Sequence, residues 1–276
     1  MDKMNEIIIR PKKTWSIDEV REIWRYRELF YIFVWREIKI RYRQTMVGIV
    51  WVLLQPLISM LVFTIFFGNF AKIPSGNLPY TLFVFCGLVF WTFFSNSLSL
   101  ASDSLIVNEN IIKKVYFPKI ILPLSSVLTG LVDFSINFIM LLAFASFLGY
   151  FPSKYAFIVF PFAIIMTAMS AIGIGLFLAS INVKYRDIRY ILPFFTQFLL
   201  FLTPVIYPLA IVSDRNKYIM AINPMTSVVE LVRFVFGGGG ILDYQYILLS
   251  IGSSLFFLFF GFWYFQKTER FFADII

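Results

Sequence analysis

Charged residues are absent, or nearly so, from six long stretches of the chain, at positions 46–70, 78–101, 120–150, 155–183, 190–212 and 244–265. Each reaches the roughly 17 to 25 residues that carry a helix across the hydrocarbon core of a bilayer. Their apolar residues run continuously instead of alternating, which excludes the two-residue period of a membrane β-barrel. Backbone groups in hydrocarbon must find partners within their own segment, so the stretches predict transmembrane helices. The expected fold class is an all-α integral membrane protein with six spans.

Two shorter patterns flank the spans. Ser16 and Glu19 have the spacing of a capping box, and Ile17, Val20, Ile23 and Trp24 recur at helical intervals opposite Asp18, Arg21, Glu22 and Arg25. They predict an amphipathic helix on the inner membrane surface, although a helix packed on other parts of the protein has the same pattern. An aromatic stretch, 29–35, then leads into a basic cluster. Between the fifth and sixth spans, Pro204 and Pro208 break or kink the fifth span near its outer end, because proline removes a helical donor and clashes with the preceding turn. Asn223 is then a cap, Pro224 a first helical residue and the glycine run 237–240 a terminator. The helix so bounded, 224 to about 236, is too short to cross, so a short re-entrant helix is expected to dip into the outer leaflet and return, or to lie along it. The chain thus divides into a cytoplasmic N-terminal interface region (1–45), a six-span domain (46–265) and a cytoplasmic tail (266–276).

Composition reinforces the membrane assignment: of 276 residues, 59% are hydrophobic and 14% charged, against roughly a quarter charged in an average soluble protein. The net charge of +8 suggests nucleic acid until its placement is considered. Six spans put both termini on one side, and 19 of the 24 Lys and Arg residues fall on that side, 11 of them within the first 47 positions. By the positive-inside rule both termini are cytoplasmic. No secretory signal peptide pattern is present. Cys86 is the lone cysteine and no histidine occurs, so no intrachain disulfide, metal cluster or histidine base is expected.

The search for reactive chemistry yields no catalytic residue. The glycine run is followed by Ile241 and Leu242 rather than by Lys and Ser or Thr, so there is no phosphate-binding loop and no ATPase site in this chain. Asp133 is the one acid inside a predicted span, and it is expected to make a buried contact between helices. Aromatic residues form two stripes at helical spacing, Phe63, Phe66, Phe67 and Phe70 in the first span, and Tyr190, Phe194, Phe198 and Phe201 in the fifth. Such rings offer flat apolar surfaces to sugars, and they serve equally as lipid-facing or packing surface. The cytoplasmic stretch 108–119, "NENIIKKVYFPK", predicts a short helix capped by Asn108, carrying Lys113 and Lys114 and ended by Pro118. A helix this short is marginal without a docking surface, which a partner supplies.

The stretches "WREIKIRYRQTMVGIVWVLLQPL", "NENIIKKVYFPKIILP", "NVKYRDIRYILPFFTQFLLFLTPVIYP" and "INPMTSVVELVR" resemble the signature segments of ABC-2 type permeases that export lipid-linked polysaccharides, the O-antigen and teichoic acid exporters. The resemblance covers nearly the whole chain and is specific to the export branch rather than to one polymer, with O-antigen slightly favoured. It implies a homodimer in the cytoplasmic membrane joined to two copies of a cytoplasmic ATPase, which binds ATP and Mg. A glycan on a polyprenyl pyrophosphate then passes through the channel between the permeases. By the same resemblance Ile17, Val20, Ile23 and Trp24 belong to an interface helix, and Asn108, Glu109, Lys113, Lys114 and Tyr116 to a coupling segment. The two aromatic stripes are implied to line the channel. Pro204, Pro208, Asn223, Pro224, Glu230 and Arg233 are implied to form an outer gate. Arg41, Arg43, Lys184, Arg186 and Arg189 share the cytoplasmic side and suit a lipid pyrophosphate, since guanidinium groups bind phosphate oxygens bidentately, although plain positive-inside anchoring accounts for them as well and is the favoured reading. An ion-coupled secondary transporter or flippase of lipid-linked glycans is the alternative. A glycan-modifying membrane enzyme is disfavoured by the missing histidine and acid clusters.

Overall fold

The computed structural model of the protein describes residues 24–43, 46–237 and 243–275. Among them are ten α-helices and no strand: α1 (Arg27–Arg43), α2 (Met46–Phe63), α3 (Tyr80–Val107), α4 (Glu109–Ile112), α5 (Ile121–Phe147), α6 (Ala156–Lys184), α7 (Ile188–Leu202), α8 (Asp214–Ala221), α9 (Pro224–Val235) and α10 (Tyr244–Ile275). A π-helix, Thr64–Phe70, extends α2. Ile17, Val20 and Ile23 lie outside the described residues; Trp24 is exposed beside Arg27.

Five helices are long and apolar enough to cross a bilayer: α2 with its π-helical extension, α3, α5, α6 and α10. The expected fifth span, 190–212, is not one helix. α7 stops at Leu202 after 15 residues, about 22 Å at 1.5 Å per residue and short of the roughly 30 Å hydrocarbon core. Thr203 and Pro204 end it, and residues 203–206 continue as buried irregular chain. Irregular backbone at membrane depth requires partners within the protein. They are present: the Ile206 carbonyl accepts from the Tyr80 hydroxyl at 2.7 Å, and the Val205 carbonyl from Arg233 at 2.6 Å.

A bent helix pair stands where the re-entrant element is expected, and its geometry fits a broken span as well as a re-entrant loop. α8 and α9 meet at an angle of 106°. Asn223 caps α9 by accepting from the Met225 amide at 3.1 Å, Pro224 takes the first position, and Gly237 follows the helix at φ +85°, which suits glycine. α9 is buried on almost every face, so it lies within the protein and not along its surface.

α3 is the axis of the bundle: 78% of its most apolar window is buried, against 11% for α2 and 17% for α10. Lipid offers helices no hydrophobic drive to associate, so contact depends on packing and close approach. Rings supply the first: Phe134 on α5 meets Phe90 and Phe93 on α3 at 5.0 and 4.9 Å, and Phe138 meets Phe160 on α6 edge-on at 4.9 Å. Glycine supplies the second, because α6 and α10 touch backbone to backbone at Gly173 and Gly261.

At one end of the bundle a second cluster joins Phe33 of α1, Leu105 of α3, Ile112, Phe117, Val183 of α6, and Phe265 and Phe272 of α10. Both described ends of the chain and the lysine-bearing loop therefore share this end, here called the basic end. The stretch 266–275 continues α10 rather than forming a separate tail, and Glu269 accepts from the Lys119 amide at 2.9 Å.

α1 joins the aromatic stretch and the basic cluster in one helix: Leu29, Phe30 and Phe33 pack inward with Arg27, Glu28 and Lys39 exposed, and charged side chains of its second half also turn inward. Tyr31, Ile32, Trp35 and Ile40 are exposed, while Phe33, Arg36, Glu37, Arg41 and Tyr42 turn toward α5 and the 108–119 segment. Glu37 accepts from Ser126 and Thr129 at 3.3 and 3.2 Å. Further along, Arg41 and Tyr42 both donate to Asp133. Asp133 thus makes the helix-to-helix contact expected of it, with α1 as its partner.

Candidate functional site

Among the described residues a groove with a polar lining interrupts the apolar bundle. It lies between α2, α3 and α7 and has a volume of about 380 Å³. α2 contributes Gln55, Ser59 and Phe63; α3 contributes Thr92, Ser95, Asn96 and Ser99 beside Trp91; α7 contributes Thr196 and Gln197 beside Leu192 and Leu200. Steps of three, one and three place the four polar residues of α3 on one helical face. The same arithmetic places Gln55 and Ser59 one turn apart on α2. Gln55 and Gln197 are solvent-accessible in a single chain, so the groove opens on the side away from the bundle core.

The sequence reading did not identify this groove. Its signal was present in the 92–95–96–99 pattern, diluted by phenylalanines on the remaining faces. The aromatic stripes instead divide. The π-helix turns the expected single face of 63–70 into two pairs: Phe63 and Phe67 meet edge-on at 5.9 Å against the core, and Phe66 and Phe70 meet at 6.2 Å in the open. Of the eight rings, only Phe63 lines the groove. On α7 the two faces separate: Leu192, Thr196 and Leu200 turn inward, while Tyr190, Phe194, Phe198 and Phe201 are exposed.

The coupling segment differs from expectation in detail. α4 is four residues long and ends before Lys113, so both lysines lie beyond it and Pro118 does not terminate it. Asn108 does not cap by its side chain. It donates to the Ser104 carbonyl at 2.7 Å and accepts from Arg36, so it is committed to α3 and α1. Phe117 is held against Phe33 at 5.6 Å. Between these two buried anchors, Lys113, Lys114, Val115 and Tyr116 are exposed at the basic end. The Lys113 ammonium donates to Glu109 at 2.6 Å and holds that carboxyl below its ordinary pKa.

At the opposite end the expected gate residues do assemble. Arg233 is buried; it donates to Glu230 at 3.0 Å, to the Phe83 carbonyl at 3.1 Å and to Val205, with its guanidinium 3.4 Å from the Phe83 ring centroid. Asn223 donates to the Thr203 hydroxyl at 2.8 Å, tying α9 to the end of α7 beside buried Pro204 and Pro224, while Pro208 is half-buried. The basic candidates do not form one site. Arg41 is engaged by Asp133, Lys184, Arg186 and Arg189 are exposed around the start of α7, and the Arg43 side chain lies outside what is described.

No group of three or more metal-ligating side chains occurs among the described residues. What the described residues do present is the polar groove, the exposed tip at the basic end and the Arg233 assembly at the opposite end.

Comparison with known proteins gives a family and several relatives. The family described as ABC-2 type transporter matches residues 28–236. The O-antigen export system permease protein RfbA of Myxococcus xanthus is 29% identical over 259 residues, covering 93% of this chain and 98% of the relative. Two O-antigen export system permease proteins RfbA of Klebsiella pneumoniae are 26% and 25% identical, each over 90% of this chain and 95% of the relative.

Proposed function

The chain belongs to the ABC-2 type transporter family, and on that premise we propose that it is the permease subunit of an ATP-driven exporter of a polyprenyl pyrophosphate-linked polysaccharide, of the O-antigen kind that its relatives' names specify. One observation carries the reading: the groove between α2, α3 and α7 is polar and open on its outer side. Polar side chains facing hydrocarbon without partners are costly, so such a groove calls for a cover. A second copy of the chain supplies one. In a two-fold pair, facing grooves join into a channel, and the exposed rings of α7 stand at its edge, offering flat faces to sugar rings.

The driving force comes from a separate cytoplasmic ATPase, two copies per pair, which binds ATP and Mg. Its docking surface is the exposed tip Lys113 to Tyr116, with Glu109 beside it. Displacement of that tip moves its anchors, Asn108 and Phe117, and through them Arg36 and Phe33 of α1. α1 leads into α2, one wall of the groove, so a push at the basic end is delivered to the channel. Lys184, Arg186 and Arg189 receive the pyrophosphate at the inner mouth, and the Arg233 assembly closes the outer end. The membrane is the cytoplasmic one, with the basic end inward.

The test is polysaccharide at the surface of cells lacking their own exporter, supplied with this permease and its ATPase. Export is expected with active ATPase and not with a hydrolysis-dead one. Export sustained without ATP hydrolysis overturns the reading in favour of an ion-coupled transporter.

A further inference from the structure

The groove carries a selectivity that the export reading leaves open. Its polar lining contains three amides, Gln55, Asn96 and Gln197, and hydroxyls from α2, α3 and α7, but no Lys, Arg, Asp or Glu. Several hydroxyls have already committed their protons to their own helices: Thr92 donates to the Leu88 carbonyl at 2.7 Å and Thr196 to the Pro193 carbonyl at 3.0 Å. They therefore face the groove as acceptors. Among the described residues the three amides have no hydrogen-bond partner, so each presents two N–H donors and a carbonyl acceptor. The groove is thus a neutral surface mixing donors and acceptors, which matches a sugar hydroxyl, itself both donor and acceptor.

The formal charges that flank the lining on α3 and α7 lie toward the basic end. Arg189 precedes Thr196 by seven residues, about 10 Å along α7, toward the basic end. On α3 the polar face continues past Ser99 to Asp103, which accepts from Asn182 at 2.9 Å. An anionic repeat passing between the helices would leave the mouth cations, pass a carboxylate, and meet no counter-charge in the groove. An unpaired charge out of bulk water is strongly disfavoured.

From this we infer that the groove is built for an uncharged, hydroxyl-rich glycan and rejects polymers bearing a negative charge on each repeat, the lipid pyrophosphate being handled by the separate cations at the mouth. This rests on the export reading above. The lining decides between the two polymer classes because neutral repeats exchange hydrogen bonds with it, whereas a phosphodiester chain finds nothing to neutralise it.

The experiment compares two lipid-linked probes in proteoliposomes containing the intact permease–ATPase complex: an uncharged mannose homopolymer and a poly(glycerol phosphate). Translocation of the mannose polymer is expected to exceed that of poly(glycerol phosphate) at least tenfold. In the double variant Gln55→Lys, Gln197→Lys, checked for assembly, the ratio is expected to fall at least tenfold. Equal translocation of both probes by the unaltered complex overturns the inference and leaves the export reading standing. Translocation of neither overturns both.

Discussion

Gly261 of α10 packs directly on the backbone of Gly173 in α6, and a methyl group on Gly173 would stand 2.5 Å from the Phe257 carbonyl. The two helices therefore meet backbone to backbone, and neither position has room for a side chain. Gly173→Ala or Gly261→Ala is expected to force them apart at a cost of about 1–3 kcal/mol, the usual range for overpacking. Thermal unfolding in detergent checks this, with Gly252→Ala as the control. Nothing lies within 4 Å of a methyl group at Gly252, so that variant is expected to unfold no earlier than the wild type.

Arg233 satisfies the Val205 carbonyl exposed by the break after α7 and pairs with Glu230. Arg233→Met keeps much of the volume but strands the Glu230 carboxylate and the Phe83 and Val205 carbonyls, and a loss of about 3 kcal/mol is expected from leaving a largely buried ion unpaired. Arg233→Lys retains the charge and lacks the planar fork, so it is expected to recover only part of the loss. An unaltered melting temperature in Arg233→Met would show that the assembly is not a structural lock.

Tyr116 is 71% exposed at the tip between the two anchored ends of the 108–119 segment. Tyr116→Ala, or Lys113→Glu with Lys114→Glu, is expected to leave folding unchanged and to lower export at least tenfold relative to ATP hydrolysed. Asn108→Ala cuts the link to Arg36 instead, and is expected to reduce both thermal stability and coupling. Measurement of ATPase rate and export in the same preparation separates the two effects.

Much of the architecture was legible in the sequence because it follows from local rules. Uninterrupted apolar runs mark the spans, Asn223 with Pro224 starts α9, and Pro204 marks where α7 has already ended. The parts that were not legible depend on which helix faces which. The stripe Tyr190, Phe194, Phe198, Phe201 is obvious from spacing, but that it turns away from Leu192 and the groove is a tertiary fact. From sequence alone Arg36 counts as orientation charge, Arg41 also as a pyrophosphate candidate, and Glu37 carries no reading. Their partners, Asn108, Ser126, Thr129 and Asp133, lie 72 to 92 residues further along the chain. The Ser, Thr, Asn and Gln residues of the groove carry no charge and hardly lower the mean apolarity of their spans, so no window average reveals them.

The face of α7 that carries Phe198 is expected to meet a second copy. In a Cys86→Ala background, Phe198→Cys is expected to form an oxidised dimer in membranes, whereas Ile165→Cys, exposed on α6 and away from the groove, is expected to stay monomeric. Crosslinking at Ile165 and not at Phe198 would place the two-fold contact on the other side of the bundle.

Orientation is tested by single cysteines in the same background. Lys154→Cys, between α5 and α6, is expected to react with a membrane-impermeant thiol reagent in intact cells, and Lys114→Cys and Arg186→Cys only after lysis. Ala71→Cys is a better external probe than Lys72→Cys, because Lys72 holds a backbone φ of +51° that a substitution would disturb. Labelling of Lys114→Cys in intact cells would invert the topology.

The neutrality of the groove also bears on friction. A space of about 380 Å³ has room for on the order of ten water molecules. Each hydroxyl that enters exchanges water for an amide or hydroxyl of similar strength, so net adhesion per sugar is close to zero. On the proposed export reading, a long chain slides over a lining that releases it as readily as it accepts it, and the free energy of ATP hydrolysis goes into direction rather than into detaching cargo.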